Sequence, residues 1–414
     1  MAVPGLPAQR TNTWILNQWY DQAVAGTQEP PPPTAEAITL WGWGYNGEGQ
    51  LAQNNRTNYS SPVQIPGEDW GGARFQTASP GNTFGQLNAG NQSGLITKTD
   101  GSLWWLGGLD FNYGTSGLNN IIDYSSPVQV GSDTDWGVGV GQLVSMSCKT
   151  DGTLWSWGRN DYGQLGLNTA GPTIRYSSPT QIGTDTTWNY VNHFGLTSLA
   201  TKTDGSAWVW GYNEYGAFGN NTAVMGRSSP IQMGNTGDWT DHNGFALQAS
   251  TQGAAIKSDN TLWIWGNNTQ GNLGQNNTTH RSSPVQIPGT WSSFTFASNK
   301  SSAGIKTDGT LWAWGSNEQG LLGQNQSNPT TASSPRQIGT NTDWVRLGKA
   351  GNTGFSAVNS SKELYTWGSN GEGNLGLNDK TARSSPTQVP GTWYGTSCSY
   401  TGFGNNTLAG RLPG

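Results

Sequence analysis

One short pattern, repeated seven times, constrains this 414-residue chain more than any other feature of it. The tripeptide Ser-Ser-Pro ends at Pro62, Pro127, Pro179, Pro230, Pro284, Pro335 and Pro386, and each copy runs through X-Gln to a lone tryptophan. Those tryptophans are Trp70, Trp136, Trp188, Trp239, Trp291, Trp344 and Trp393. A second element, Leu-Trp-X-Trp-Gly or a close variant, alternates with the first. Its last large side chain is Trp43, Leu106, Trp157, Trp210, Trp265, Trp314 and Trp367, spaced about 54 residues apart on average. Of the 22 tryptophans only Trp14 and Trp19 fall outside the repeat. A period near 50 residues calls for propeller blades or a solenoid array.

The inside of one repeat decides between them. Ile305 to Gly315 reads as two strands joined by Asp308-Gly309, a dipeptide that favours a tight type I′ hairpin. The same turn recurs at Asp100-Gly101, Asp151-Gly152 and Asp204-Gly205, and as Asp259-Asn260. In the second strand Trp312 and Trp314 share one face and Leu311 and Ala313 the other, so both faces are apolar. A strand apolar on both faces belongs in a blade held between two neighbouring blades. The Pro-Val-Gln-Ile segment and the stretch after the lone tryptophan supply two further strands. The expected fold is all-β: a seven-bladed β-propeller with four-stranded blades over residues 37–414. The first Leu-Trp-Gly-Trp-Gly has no hairpin partner before it, whereas Phe403 to Leu408 resembles the missing hairpin with Asn405-Asn406 as its turn. The N- and C-terminal strands are therefore expected to share the closing blade.

Composition excludes several classes. Lys+Arg number 20 against 25 Asp+Glu, a net charge of −5, and no run of basic residues offers a footprint for nucleic acid or an anionic membrane. No apolar run approaches the roughly 18 residues of a membrane helix. With only two cysteines, Cys148 and Cys398, a disulfide framework is not expected. Met1 to Arg10 lacks a basic region followed by an apolar stretch, so a secretory signal is not expected either. The 61 glycines and 20 prolines stay below the share that marks low-complexity disorder.

Copies such as Leu154-Trp-Ser-Trp-Gly-Arg-Asn-Asp-Tyr-Gly-Gln-Leu-Gly-Leu-Asn168, followed by Arg175-Tyr-Ser-Ser-Pro179, resemble the repeats of the regulator of chromosome condensation family. The resemblance covers roughly residues 37 to 410 and implies the same seven-bladed ring. Functions in that family range from nucleotide exchange on a small nuclear GTPase to photoreception and protein inhibition, so the fold does not fix the activity.

The titratable residues form no catalytic constellation. His193, His242 and His280 have no metal-ligand or triad spacing, and the repeated aspartates sit in hairpin turns. Gly42-Trp-Gly44-Tyr-Asn-Gly47 opens no helix and is a product of the repeat, not a dinucleotide fingerprint. The Gly-X-Asn-X-X-Gly loops lack the alternating carboxylates of a calcium loop. No enzyme activity, cofactor or metal is expected. Two departures from the repeat stand out. Trp70 to Lys98 spans 28 residues where Trp136 to Lys149 spans 13, which places an insertion at 71–91 that a protein or glycan could contact. The other is an N-terminal arm, residues 1–36. Within Thr13 to Ala25, residues Trp14, Ile15, Leu16, Trp19 and Tyr20 fall on or beside an amphipathic helical stripe, followed by the stiff spacer Pro30 to Pro33. The arm reads as a docking element for other protein chains. The leading expectation is a non-enzymatic structural or binding component of a larger assembly, plausibly a bacteriophage virion, made in the host cytoplasm. The alternative is a soluble protein-binding or inhibitory propeller, with a guanine-nucleotide exchange factor third. Arg10 is the sole Lys or Arg before residue 36, which removes the basic tail that chromatin-binding members use.

Overall fold

The computed structural model describes residues 39–71, 88–89, 93–108, 113–141, 143–222, 224–234, 246–248, 251–297, 300–325, 331–348, 354–393 and 406–411. The expected helical arm with Trp14, Ile15, Leu16, Trp19 and Tyr20, most of the 71–91 insertion, and Trp239 and His242 lie outside these residues. Within them the chain is all-β, interrupted only by 3-10 turns at Glu214–Gly216 and Glu318–Gly320. The architecture is a β-propeller. Each repeat contributes antiparallel strands in which Leu-Trp-X-Trp-Gly lies inside the sheet and the Ser-Ser-Pro strand forms its outer edge. One such sheet runs Trp136–Gly141, Val144–Lys149, Leu154–Arg159, Arg175–Gln181.

The expectation of seven separate four-stranded blades needs correction. The described strands form six sheets: four of four strands, one of three and one of seven. The seven-stranded sheet arises because Arg281–Ala297 is one unbroken strand. Its first part pairs with Thr261–Gly266 and its second part with Ser301–Lys306, so it serves two repeats at once. The connector here is short: four residues, Ile287-Pro-Gly-Thr290, separate Gln286 from Trp291, whereas six, Ile182 to Thr187, separate Gln181 from Trp188. The equally short Val389-Pro-Gly-Thr392 nevertheless ends its strand at Val389, so length alone does not make the strand continuous.

The three-stranded sheet closes the ring. Thr39–Gly44 pairs with Tyr59–Gln64 on one side and with Asn406–Arg411 on the other, from Thr39 opposite Arg411 to Gly44 opposite Asn406. Chain ends do share a sheet, and the register fixes the splice that the repeated Thr-Leu of Thr39-Leu40 and Thr407-Leu408 leaves ambiguous in the sequence. Asn406 already lies in the strand and Leu408 faces Gly42, so Asn405-Asn406 is not a turn before a copy of Thr39-Leu40.

The Asp-Gly hairpins are also not type I′, which needs both central residues left-handed. Only the second residue is: φ is 82° at Gly101, 83° at Gly152, 78° at Gly205, 64° at Asn260 and 79° at Gly309. The Gly152 N–H reaches the Lys149 carbonyl at 3.0 Å, and the Lys149 N–H reaches the Thr153 carbonyl at 2.9 Å. This is a three-residue loop with a glycine bulge. The aspartate holds it: Asp151 Oδ1 accepts both the N–H and the hydroxyl of Thr153, at 2.9 and 2.7 Å. The hydroxyl and amide of Ser102 do the same to Asp100, and these bonds keep its carboxyl below the usual range.

The core lies between sheets. Trp43, Trp157, Trp210, Trp265, Trp314 and Trp367 are fully buried, as are Trp70, Trp291 and Trp393. Burying aromatic groups of this size dominates core energetics, provided each indole N–H finds an acceptor. For six of the nine the acceptors belong to the preceding repeat, whereas the Trp70 and Trp291 N–H groups are buried without a hydrogen-bond partner. Trp43, Trp157, Trp210, Trp265, Trp314 and Trp367 donate to the carbonyls of Asn374, Thr115, Gln164, Ala217, Asn272 and Leu321 at 2.8–3.1 Å. A second bond crosses the same junctions. The N–H groups of Asn54, Asn119, Asn168, Asn221, Asn276, Asn325 and Asn378 reach Ser125, Ser177, Ser228, Ser282, Ser333, Ser384 and Ser60, at 2.6–2.9 Å. Each acceptor is the first serine of a Ser-Ser-Pro. The last pair, Asn378 to Ser60, joins the final repeat to the first.

Candidate functional site

The loop after each Leu-Trp-X-Trp-Gly makes these junction contacts through its glycines. Gly163 and Gly216 have φ of 82° and 78°, and a Cβ on either would lie 2.4 to 2.5 Å from the Cα of Ser228 or Ser282. The backbone is thus pressed against the next repeat, and the residue just before that glycine is held over the junction. Around the ring that position is Glu48, Tyr113, Tyr162, Tyr215, Gln270, Gln319 and Glu372. Three consecutive repeats carry tyrosine; the other four carry acid or amide.

Each tyrosine meets a partner from the following repeat. The Arg159 and Arg175 guanidinium groups lie 5.0 and 4.5 Å from the Tyr113 ring. Tyr162 packs against Tyr212 with ring centres 4.7 Å apart and planes tilted by 47°, and Tyr215 against His280 at 5.0 Å and 51°. Arg159 is fixed from below by Asp161, whose Oδ2 accepts its Nε at 2.7 Å. His280 is oriented in turn, since its Nδ1 accepts the Asn268 N–H at 2.9 Å. The Tyr212 phenol is held above its usual range by desolvation and then by the nearby Glu214, Tyr162 and Tyr215, so it stays neutral at physiological pH.

Aliphatic side chains extend the arc. The segments before Ser-Ser-Pro in these repeats expose Ile121 (58%), Ile122 (56%) and Met225 (62%) with Val224. The corresponding residues are Thr173-Ile174 in the repeat between them, and Arg56-Thr57, Thr278-Thr279 and Lys380-Thr381 elsewhere. Tyr215 has φ 55°, a left-handed conformation uncommon for a bulky residue, but Gln319 at the matching turn has φ 58°. That conformation belongs to the turn, and the aromatic choice is separate from it.

Other residues weighed in the sequence have structural places. His193 is buried against Ser198 Oγ, and Cys148 is buried in the sheet strand Val144–Lys149. Among the described residues no group of three or more His, Cys, Asp and Glu could hold a metal ion, and no helix is long and apolar enough to cross a membrane. The tyrosine arc went unremarked in the sequence because each tyrosine looks like one more turn residue. Aligning the seven copies would have revealed it, since Tyr113, Tyr162 and Tyr215 then fall in one column.

These features define a β-propeller assembled from internal repeats that clasp one another in a ring. The chain belongs to the regulator of chromosome condensation (RCC1) repeat family, whose model matches residues 39–85, 151–191, 259–298, 308–353 and 363–394. It is 26% identical over 266 residues to the ultraviolet-B receptor UVR8 of Arabidopsis thaliana, covering 61% of this chain and 55% of that one. It is 30% identical over 115 residues to the X-linked retinitis pigmentosa GTPase regulator homolog of Caenorhabditis elegans, covering 28% of this chain and 8% of that protein. The chain thus spans little more than half of one relative and a small part of the other. Among solved structures, human WBSCR16 superposes with a TM-score of 0.72 at 19% identity, over 90% of this chain and 98% of that one. Prp20p of Saccharomyces cerevisiae superposes at 0.70 with 16% identity, over 91% of each. At these identities the likeness is one of fold.

Proposed function

We propose that the chain is a protein-binding propeller of seven repeat units, two of them sharing the strand Arg281–Ala297, and that it holds its partner on the rim formed by Tyr113, Tyr162 and Tyr215. One observation carries the reading: tyrosine fills one turn position in three consecutive repeats where the other four carry Glu or Gln, and arginine and aliphatic side chains lie beside it. Tyr, Arg and Met are the residues enriched where proteins meet, and Glu is depleted there. The rim is also ordered in advance by ring packing, which lowers the entropy lost on docking. The solved yeast relative supports a protein ligand, since Prp20p is described with Gsp1p, histones and Kap60 as binding partners. A role inside a larger assembly such as a virion, docked through Trp14, Ile15, Leu16, Trp19 and Tyr20, is a finer proposal that rests on the sequence stripe alone.

Selection from a displayed random-peptide library tests the rim. Peptides enriched on the wild-type protein are expected to lose at least tenfold in affinity for a Tyr113→Ala/Tyr162→Ala/Tyr215→Ala variant. They should bind a Gln270→Ala/Gln319→Ala variant unchanged. Equal affinity for all three proteins would overturn the assignment.

A further inference from the structure

The repeats carry a second recurring device. In three repeats the lone tryptophan and the first tryptophan of Leu-Trp-X-Trp-Gly form an edge-to-face pair, Trp70 with Trp104, Trp136 with Trp155 and Trp188 with Trp208, and in these and one further repeat a lysine from the strand between lies over both rings. Lys149 Nζ is 4.8 and 5.1 Å from Trp136 and Trp155; Lys202 is 4.9 and 4.4 Å from Trp188 and Trp208. Lys98 covers Trp70 and Trp104, and Lys306 covers Trp291 and Trp312. In the closing sheet Arg411 covers Trp41 and Trp393 at 4.6 and 3.9 Å. Aspartates just before the lone tryptophan complete the seat: Lys149 Nζ meets Asp133 at 2.6 Å and Asp135 at 3.1 Å.

The last repeat keeps the aromatic pair and the nearer aspartate, has Asn341 in place of Asp133, and changes the residue that would fill the seat. Trp344 and Tyr365 form the same edge-to-face pair, 5.1 Å apart at 79°. Asn359 is paired opposite Trp344, as Lys149 is opposite Trp136, Lys202 opposite Trp188 and Lys306 opposite Trp291. Its short side chain is turned into the hairpin, where its Nδ2 donates to Glu363 Oε2 at 2.7 Å and its Oδ1 accepts the N–H groups of Ser361 and Glu363. Asp343 occupies the position of Asp135, with its backbone carbonyl bound in the same way, to Ser360 as Asp135 is to Thr150. Its Oδ1 is buried with no hydrogen-bond partner. A cavity of about 380 Å³ opens here, lined by Trp344 and Tyr365 together with Ile338, Asn325, Asn341 and Pro386. The lining itself is uncharged, and the carboxylates of Glu363 and Asp343 lie near its Tyr365 wall. The Tyr365 hydroxyl donates to Glu363 and is held above its usual range by burial, then by Glu363 and Asp343.

We propose that this cavity receives a lysine side chain from a bound protein segment, seated between Trp344 and Tyr365 with its ammonium toward Asp343, as the chain's own lysines are seated in its other repeats. A cation over aromatic faces is a recognised mode for alkylammonium groups, and Asp343 adds a carboxylate with one buried oxygen. Internal copies supply the geometry, and Asn359 leaves room for the incoming chain. This seat is separate from the tyrosine rim.

Calorimetric titration of the full chain with acetyl-Gly-Lys-Gly-amide tests it. Millimolar binding is expected, at least tenfold tighter than for acetyl-Gly-norleucine-Gly-amide, which has a hydrocarbon side chain without the ammonium. Asn359→Lys would supply the resident cation and should abolish binding; Tyr365→Leu, which removes one wall, should weaken it at least fivefold. The Tyr113→Ala/Tyr162→Ala/Tyr215→Ala variant should bind the peptide unchanged, so that failure of the rim and failure of the seat are distinguishable. Equal affinity for the norleucine peptide, or wild-type affinity in either Asn359→Lys or Tyr365→Leu, would overturn the proposal. Butylamine binding as tightly as the lysine peptide would overturn the protein source in favour of a free amine.

Discussion

Six junctions of the ring carry an indole clasp and the junction from the first repeat to the second does not. At the six, a buried tryptophan donates to a carbonyl of the preceding loop. At five of these a left-handed glycine lets the indole approach: a Cβ on Gly117, Gly166, Gly219, Gly274 or Gly376 would lie 2.8 to 2.9 Å from its Nε1. At the exceptional junction the tryptophan is Leu106 and the glycine is Ala52, which keeps the left-handed turn at φ 53°. The nearby Trp105 turns back to donate to the Gly107 carbonyl at 2.9 Å. Bulk and turn residue have changed together: a smaller side chain on one strand allows a methyl group on the opposing loop. The chain inserts residues 71–91 at this same boundary.

The comparison can be broken most forcefully at an intact clasp. Trp314→Ala removes a fully buried indole and its bond to Asn272, and is expected to cost about 3–5 kcal/mol, the range for large-to-small aromatic changes. Chemical denaturation would register it, whereas Leu106→Ala should fall nearer the low end of about 2–5 kcal/mol, having no hydrogen bond to lose. A smaller and sharper test rebuilds the clasp. Leu106→Trp alone should destabilise by about 1–3 kcal/mol, because the indole meets the Ala52 methyl. Adding Ala52→Gly should recover most of that loss, and a double-mutant cycle should give a coupling above about 0.5 kcal/mol. Additive effects would break the link between the two positions.

The smallest effect comes from an intact lysine seat. The Lys202 ammonium, then the Thr187 hydroxyl, lower the carboxyl of Asp185 from 3.8 to about 2. A group with a depressed folded-state pKa adds stability above its unfolded value and loses it as pH falls through the folded one. Stability from this pair is therefore full above about pH 4 and fades toward pH 2. Asp185 is 37% exposed, so solvent screening limits the contribution to less than about 1 kcal/mol. Lys202→Met should flatten the loss of stability between pH 4 and 2, followed by urea melts at several pH values. An unchanged slope would show that the ion pair contributes nothing.

Much of this fold is written locally in the chain. The tryptophan alternation, the Asp-Gly turns and the Ser-Ser-Pro edge each declare themselves within a dozen residues, which is why a propeller could be read before any coordinates. What joins one repeat to the next could not be read that way. Trp210 and its acceptor Gln164 lie 46 residues apart, and no local rule pairs them. The type I′ expectation failed because an Asp-Gly dipeptide does not reveal where its loop begins. The splice at Asn406 was obscured by a Thr-Leu dipeptide that fits two registers. The candidate sites were hidden differently: Tyr162 and Asn359 are unremarkable alone and become informative only against the equivalent positions of the other repeats.

The closing sheet has a mechanical consequence. Thr39 is paired with Arg411, so the chain enters and leaves this sheet at the same end of one antiparallel ladder. A force drawing these two ends apart would load the six paired positions one after another, as a zipper opens, and not all at once in shear. A tether gripping the propeller by both ends would thus open it at low force. A grip on one end alone would leave the seam unstressed.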